Sequence, residues 1–437
     1  MSNNLDRQSR FAWLIVLLLF AGSVLNYMDR ALVGVIMPQM RRDLGLTNTD
    51  FGLAINAFLV MYAAFYILGG RIADRLGYRG AFVLTVAFWS AACMAHTLVQ
   101  GLRSLALCRA LLGMGEGGFY PAAIRAAAQW FSPESRAKAV GLILSALCVG
   151  TLLTPPLVAL ITLQFGWRAS FLAIGALGLL LLPPWLLLHR RIRHVIPSLF
   201  PATEAGGAQP SFSSAGAGRA AVSPHHTLPA ERDTSLIDAL KSPKYWFVLA
   251  ARASTDAAWY FYLFWIPGYF QDVRRFDLAG VGRLLWIPFF SAGLGALAGA
   301  WASSNLIRRG WSVDRARKMV LFASASLCVL GASACFVPAA YLALALVSLA
   351  LFGHQSFGSN IHTVITEITP PRHVAILYGI TGAAGTLLGA ASQLAIGRVI
   401  DGYGYKPAFV WAGGMALLGA VLVRLGGPID RLQLQVR

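Results

Sequence analysis

Runs of about twenty apolar residues recur along the 437-residue chain, and no other feature constrains its fold as strongly. At 1.5 Å per residue, about 20 residues cross the roughly 30 Å hydrocarbon core of a bilayer. Segmentation places about twelve such runs, at 11–38, 50–70, 80–100, 103–128, 137–162, 168–188, 245–270, 281–307, 317–337, 338–365, 373–399 and 406–427. Within lipid every backbone N–H and C=O must find its partner inside the protein, so runs of this length fold as helices. Mean hydropathy is +0.63 and only 12% of residues are charged, which excludes a water-soluble domain of this size.

The periodic pattern breaks between about 190 and 243. HRRIRHVIPSLF is basic, and PATEAGGAQPSFSSAGAGRAAVSPHHTLP is rich in Gly, Ala, Ser and Pro, too poor in apolar surface to order itself. It reads as a flexible cytoplasmic linker with six spans on each side, giving domains 1–190, 191–243 and 244–437. The two halves echo each other. GRIADRLGYRG follows the second span and ASSNLIRRGWSVDRARK the eighth, both short, basic and Gly-containing. The expected fold is therefore an all-α membrane protein, with twelve transmembrane helices in two six-helix bundles around a central cavity. Many of the 44 glycines lie in stretches such as SAGLGALAGAWASS and ITGAAGTLLGAAS, where small residues let helices approach in lipid.

A net charge of +18 is also the footprint of a nucleic-acid binder. With both termini cytoplasmic, however, most Lys and Arg fall in cytoplasmic loops and tails, which is the positive-inside pattern, with some attraction to anionic lipid. No nucleic-acid partner is expected. Cys93, Cys108, Cys148, Cys328 and Cys335 all lie in apolar runs without CxxC spacing and read as small core residues. The first apolar run is too long for a signal-peptide core and carries charge, so it reads as a retained span. The chain shows no Walker motif, HExxH, Cys/His cluster or paired axial histidines, so neither an enzyme, a metal nor a cofactor is expected.

Charges inside the spans are the exceptions. Asp29 and Arg30 are adjacent in the first span, and Arg109 and Glu116 lie seven apart on one face of the fourth, about 10 Å apart along the axis. Each costs roughly 2.5 to 3.5 kcal/mol to insert. One reading is two buried ion pairs tying the first helix to the fourth, although buried pairs are poor stabilisers. The other divides labour. An Arg fork matches a carboxylate, whereas Asp and Glu exchange protons, and an acid beside an Arg changes its proton affinity when a substrate anion claims that Arg. Such competition couples proton to anion.

In the second half, Trp259, Tyr260, Tyr262 and Trp265 crowd the seventh span, as a stacking and hydrogen-bonding platform or as an interfacial belt. Arg252 and Asp256 are spaced i, i+4 and can pair, either near the helix end or in a site. Gln355 and His362 share a face of the tenth span; His354 and Asn360 are less clearly placed, and a helical His is often a packing residue. Asp74, Arg75 and Arg79 sit at a helix junction, as topology charges or as a charge-and-dipole latch that breaks and remakes.

GRIADRLGYR, with Gly70, Asp74, Arg75, Gly77 and Arg79, resembles the loop between helices two and three of the major facilitator superfamily. NYMDR (26–30), CRALLGMGEGGFYP (108–121), WFSPESRAKAVG (130–141) and WYFYLFWIPGYF (259–270) resemble its anion:cation symporters of the sugar-acid branch. LFGHQSFGSN and ARASTDAAW look most like hexuronate transporters. The chain departs from the pattern at Asn305, where the superfamily often has Asp, and at Leu147 and Gly382, where galactonate-type relatives carry Gln and Asn.

The resemblance implies the major facilitator fold and proton-coupled import of a sugar acid, a hexuronate such as glucuronate or galacturonate, by alternating access. It implies that Arg30 grips the substrate carboxylate, Asp29 and Glu116 are protonation sites, and Arg109 holds or gates Glu116. Tyr62 would line the cavity, with Ser392 and Gln393 as weaker candidates. Two acids imply about two protons per monoanion and hence electrogenic uptake, with protons the only coupling ion and no cofactor. The alternatives are import of galactonate, glucarate or another organic anion, a passive anion uniporter, a drug/proton antiporter, which the two intramembrane Arg disfavour, and a membrane-embedded enzyme. The expected setting is a monomer in a bacterial inner membrane, multi-pass, with both termini cytoplasmic.

Overall fold

The computed structural model describes residues 2–131, 133–195, 236–370 and 373–430, and every regular element among them is helical. The first half contains α1 (Ser2–Leu44), α2 (Asn48–Ala95), α3 (Leu102–Gly117), α4 (Phe119–Trp130), α5 (Pro133–Phe165), α6 (Trp167–Leu180) and α7 (Leu182–Val195). The second contains α8 (Leu236–Lys241), α9 (Pro243–Asp272), α10 (Leu278–Leu284), α11 (Trp286–Arg308), α12 (Val313–Ala332), α13 (Ala340–Ile368), α14 (Val374–Tyr403) and α15 (Lys406–Leu425).

These helices account for the twelve expected spans with local differences. The second and third spans run together as α2, across one non-helical residue, Gly77, at φ 65° and ψ 166°. Positive φ costs a glycine nothing, so the chain turns there without a separate loop. The fourth span is split at Gly118 into α3 and α4, the sixth at Leu181, and the eighth at Leu285. Residues 196–235 of the expected linker lie outside the described residues, while its flanks are helical in α7 and α8.

Nine helical stretches among the described residues are long and apolar enough to cross a membrane, and one of them, Asn48–Leu98, contains two of the expected spans. The expected spans missing from the nine are the fourth and the seventh. They are the ones that carry Arg109 with Glu116 and Arg252 with Asp256. Close packing of α3 on α2 depends on Gly113, where a Cβ would stand 2.3 Å from the Phe58 carbonyl oxygen.

At the end of the bundle where α1 stops and α2 begins, the two halves lock together. Gln39 Nε2 donates to Gln271 Oε1 at 2.8 Å, Gln271 Nε2 donates to the Val35 carbonyl at 2.9 Å, and Arg41 pairs with Asp272. Asp401 accepts from the backbone N–H and side chain of both Asn48 and Thr49, at 2.6 to 3.0 Å, capping the start of α2 from the other half. A carboxylate there satisfies orphan helix N–H groups and complements the helix dipole. These hydrogen bonds between the halves join residues 35–56 to residues 271–272 and 390–401.

Candidate functional site

Between the halves lies a cavity of about 210 Å³, a volume that admits a small molecule and excludes a macromolecule. Of the residues expected from sequence, Arg30, Tyr62, Arg252, Asp256, Trp259, Tyr260, Gln355 and His362 line it, as does the more loosely placed His354. Leu147 and Gly382 line it as well, so the two departures from the galactonate-type pattern fall on the wall. Tyr27, Tyr66, Thr255 and Thr386 complete much of the lining and were not anticipated. Helical spacing carried a signal for one of them, since Tyr66 lies one turn beyond Tyr62.

Arg30 on α1 is the charged anchor of the first half. Its Nε and Nη2 both donate to Oε2 of Glu116 on α3, at 3.1 and 2.8 Å, and Nη2 also reaches Asn26 Oδ1 at 3.1 Å. The guanidinium lies on the Tyr62 ring, 4.4 Å from the centroid, an added cation–π contact. Glu116 is fully buried, its Oε1 makes no hydrogen bond to a described residue, and it stands behind the cavity wall. Arg30 lines the cavity, and none of its hydrogen bonds to described residues uses Nη1, which leaves that nitrogen a donor for an incoming anion.

Asp29 is also buried and off the wall. Its Oδ1 accepts from Cys93 Sγ at 2.9 Å, and its Oδ2 has no partner among the described residues. The expectation that Arg109 holds Glu116 is corrected. No hydrogen bond or ion pair joins the two side chains, and Arg109 Nε instead donates to His96 Nε2 at 3.0 Å. Arg109 does not touch the cavity, so it is not a substrate ligand here, although it interacts electrostatically with both Glu116 and Asp29. One of the two conceivable ion pairs between the first and fourth spans is therefore formed, and the other is not.

In the second half Arg252 Nε meets Asp256 Oδ2 at 3.3 Å, and its Nη1 donates to Thr381 Oγ1 at 2.7 Å and the Tyr378 carbonyl at 3.1 Å. The Tyr378 ring supports the guanidinium at 4.4 Å, and its hydroxyl meets His362 Nδ1 at 2.6 Å, a role for Tyr378 that sequence reasoning missed. Trp259 stacks on His354 with centroids 5.5 Å apart, and His354 Nε2 donates to the Thr255 carbonyl. Tyr262 is corrected: it is buried beneath the wall against His354 and does not line the cavity. Trp265 donates to Gln393 Oε1 at 2.8 Å deep in the packing, Ser392 bonds to the Gly389 carbonyl, and Asn360 serves Arg317, so these act in the scaffold.

Away from the cavity, Asp74 pairs with Arg125 on α4, and the Arg79 carbonyl accepts from Trp185 Nε1 at 3.3 Å. Arg75 and Arg79 make no ion pair among the described residues.

The family model of the Major Facilitator Superfamily matches residues 19–380. The chain belongs to that superfamily. It is thus a multi-pass membrane transporter and not an enzyme. Over nearly their whole lengths, related superfamily members share about a quarter of its residues. The D-galactonate transporter of Escherichia coli O6:H1 is 28% identical over 98% of this chain and 99% of its own, and the hexuronate transporter of Escherichia coli K12 is 24% identical over 94% and 93%. A bacterial homolog of the human lysosomal transporter Spinster has a TM-score of 0.70 at 17% identity, covering 95% of each chain, which shows the superfamily fold.

Proposed function

We propose that this superfamily member imports a sugar acid together with protons, and that the favoured substrate is a hexuronate, glucuronate or galacturonate. The observation that carries the reading is the buried Arg30–Glu116 pair, with Arg30 on the cavity wall and Glu116 behind it. A substrate carboxylate reaching Nη1 competes with Glu116 for one guanidinium. When Glu116 takes a proton, it loses the negative charge that ties Arg30 to it, and the fork turns to the anion; when the proton leaves, Glu116 reclaims the fork and the anion is released. Asp29 is the second proton site, next to Arg30 in the chain and equally buried. Two protons with a monoanion carry one net positive charge inward.

The named activities of the two Escherichia coli relatives support a sugar acid. Trp259 and Tyr260, both on the wall, supply a stacking face and a hydroxyl for a polyhydroxylated ring. Leu147 and Gly382 remove two amides from the galactonate-type pattern and favour a hexuronate over galactonate. One observation favours a second reading. Arg252 also lines the cavity, so a dicarboxylate such as glucarate could be held at both ends. The proposed setting is a bacterial inner membrane with both termini cytoplasmic, the chain acting as a monomer and 1–190 and 244–437 moving as two bundles. In that orientation the locked end faces outward and the structure is closed to the outside.

The test is an uptake screen in reconstituted vesicles with glucuronate, galacturonate, galactonate and glucarate under an inward pH gradient. The reading expects glucuronate or galacturonate to accumulate above equilibrium and to leak out when a protonophore is added. Equilibration without accumulation for all four acids contradicts proton coupling.

A further inference from the structure

Two buried side chains behind the cavity have no place in the exchange between Arg30 and Glu116. Cys93 and His96 lie three residues apart, within one helical turn at the end of α2, and both are fully buried. Cys93 Sγ bonds to Asp29 Oδ1 at 2.9 Å and lies 3.4 Å from the Phe171 carbonyl. His96 Nδ1 meets the Ala92 and Cys93 carbonyls at 2.8 and 3.2 Å, and its Nε2 faces Arg109 Nε at 3.0 Å. A guanidinium only donates and a carbonyl only accepts, so the ring proton sits on Nδ1 and the imidazole is neutral. Stacking on Phe171, with centroids 4.4 Å apart and an angle of 14°, fixes the ring.

Taken singly, each is a satisfied core residue. Taken together, they leave an unusual remainder. Asp29 Oδ2 and both Nη atoms of Arg109 are buried and make no hydrogen bond to any described residue, and no ion pair joins the two side chains. Opposite charges attract strongly where water is excluded. Here one atom of each is held by a neutral group at the end of α2, Cys93 in its last turn and His96 just past it.

We propose that Cys93 and His96 are positioning residues of the proton step, which hold Asp29 and Arg109 out of ion-pair contact so that Asp29 can take up and return a proton. This rests on the reading of Asp29 as a proton site. A carboxylate clasped by an Arg fork is committed to its ionised form, whereas a thiol is a weak donor that orients the group without that commitment. The neutral imidazole satisfies Arg109 Nε without adding charge, so Arg109 keeps a full positive charge near Glu116 while Arg30 serves the substrate. On uptake an O–H bond of a hydronium breaks as the O–H bond at Asp29 Oδ2 forms, and on release that bond breaks as the proton passes to water on the other side.

The test uses the full chain in vesicles and two rates for radiolabelled glucuronate, or whichever of the four acids accumulates: accumulation driven by a pH gradient, and exchange at equal pH. Exchange moves substrate without requiring net proton release. In Cys93→Ala/His96→Leu the pair collapses, and accumulation is expected to fall at least tenfold while exchange stays within twofold. Cys93→Ser/His96→Gln, which keeps a donor and an acceptor, is expected to restore accumulation, and Cys93→Ala is expected to change nothing further in an Asp29→Asn chain. Unchanged accumulation, or equal loss of both rates in the double variant and its conservative counterpart, overturns the proposal. If the double variant does not fold, Cys93→Ala alone carries the same comparison. Failure of the unmodified chain to accumulate any of the four acids overturns proton coupling itself, and is told apart because no variant is involved.

Discussion

Arg30, on the cavity wall, places both its Nε and its Nη2 on a single oxygen of Glu116, Oε2, and uses Nη1 in no hydrogen bond to a described residue. One guanidinium therefore faces an internal carboxylate and an incoming one at the same time.

Arg30→Lys tests whether the fork, and not charge alone, is needed. An ammonium is a point charge without a fixed pair of donors. KM for the accumulated acid is expected to rise about tenfold or more, about 1.4 kcal/mol, and Arg30→Ala to abolish uptake. A Lys variant with unchanged KM contradicts the assignment of Arg30 as the carboxylate ligand.

Glu116→Gln removes the competitor while keeping its shape. The amide stands in for the protonated acid, so Arg30 is released to the substrate. Binding of the acid, measured by calorimetry, is expected to be as tight as or tighter than in the unmodified chain, while accumulation under a pH gradient is lost. Retained accumulation in both Glu116→Gln and Asp29→Asn overturns the coupling scheme.

Arg252→Gln separates the two substrate readings. Its guanidinium lines the same cavity, is held by Asp256 and Thr381, and supplies a second positive group. If glucarate is transported, its KM is expected to rise at least tenfold more than that of glucuronate. Equal effects on both acids assign Arg252 to the scaffold.

The locked end can be wedged. A Cβ at Gly52 would stand 2.5 Å from the Gln393 carbonyl oxygen, and Asp401→Asn removes the charge from four hydrogen bonds to Asn48 and Thr49. Hydrogen bonds to a charged group contribute about 1.5 to 3 kcal/mol each, so either change is expected to shift the population towards opening at this end. Spin labels at Arg42→Cys and Tyr403→Cys should show a longer distance in both variants by pulsed EPR. An unchanged distance distribution contradicts the role of this contact as a closure.

Much of this was legible in the chain because the membrane makes buried charge expensive. The spans and the charges set inside spans one, four and seven followed from length and cost. What was not legible depends on how helices cross. Asp29 and Arg30 are consecutive, so they leave α1 about 100° apart, and only one can face the cavity; that Arg30 does so, and meets Glu116 while Arg109 turns to His96, is set by the packing of α1, α2 and α3. The same holds for Asp401 and Asn48, joined across more than 350 residues. Gly77 was visible as a loop glycine, but a single positive φ replaced the loop.

The central claim, that two protons accompany each monoanion, is tested most directly by imposing a membrane potential with potassium and valinomycin at constant pH gradient. One net positive charge gains roughly 2.3 kcal/mol per 100 mV, so uptake of glucuronate should accelerate when the interior is negative and carry an inward positive current. Uptake that ignores the potential contradicts it.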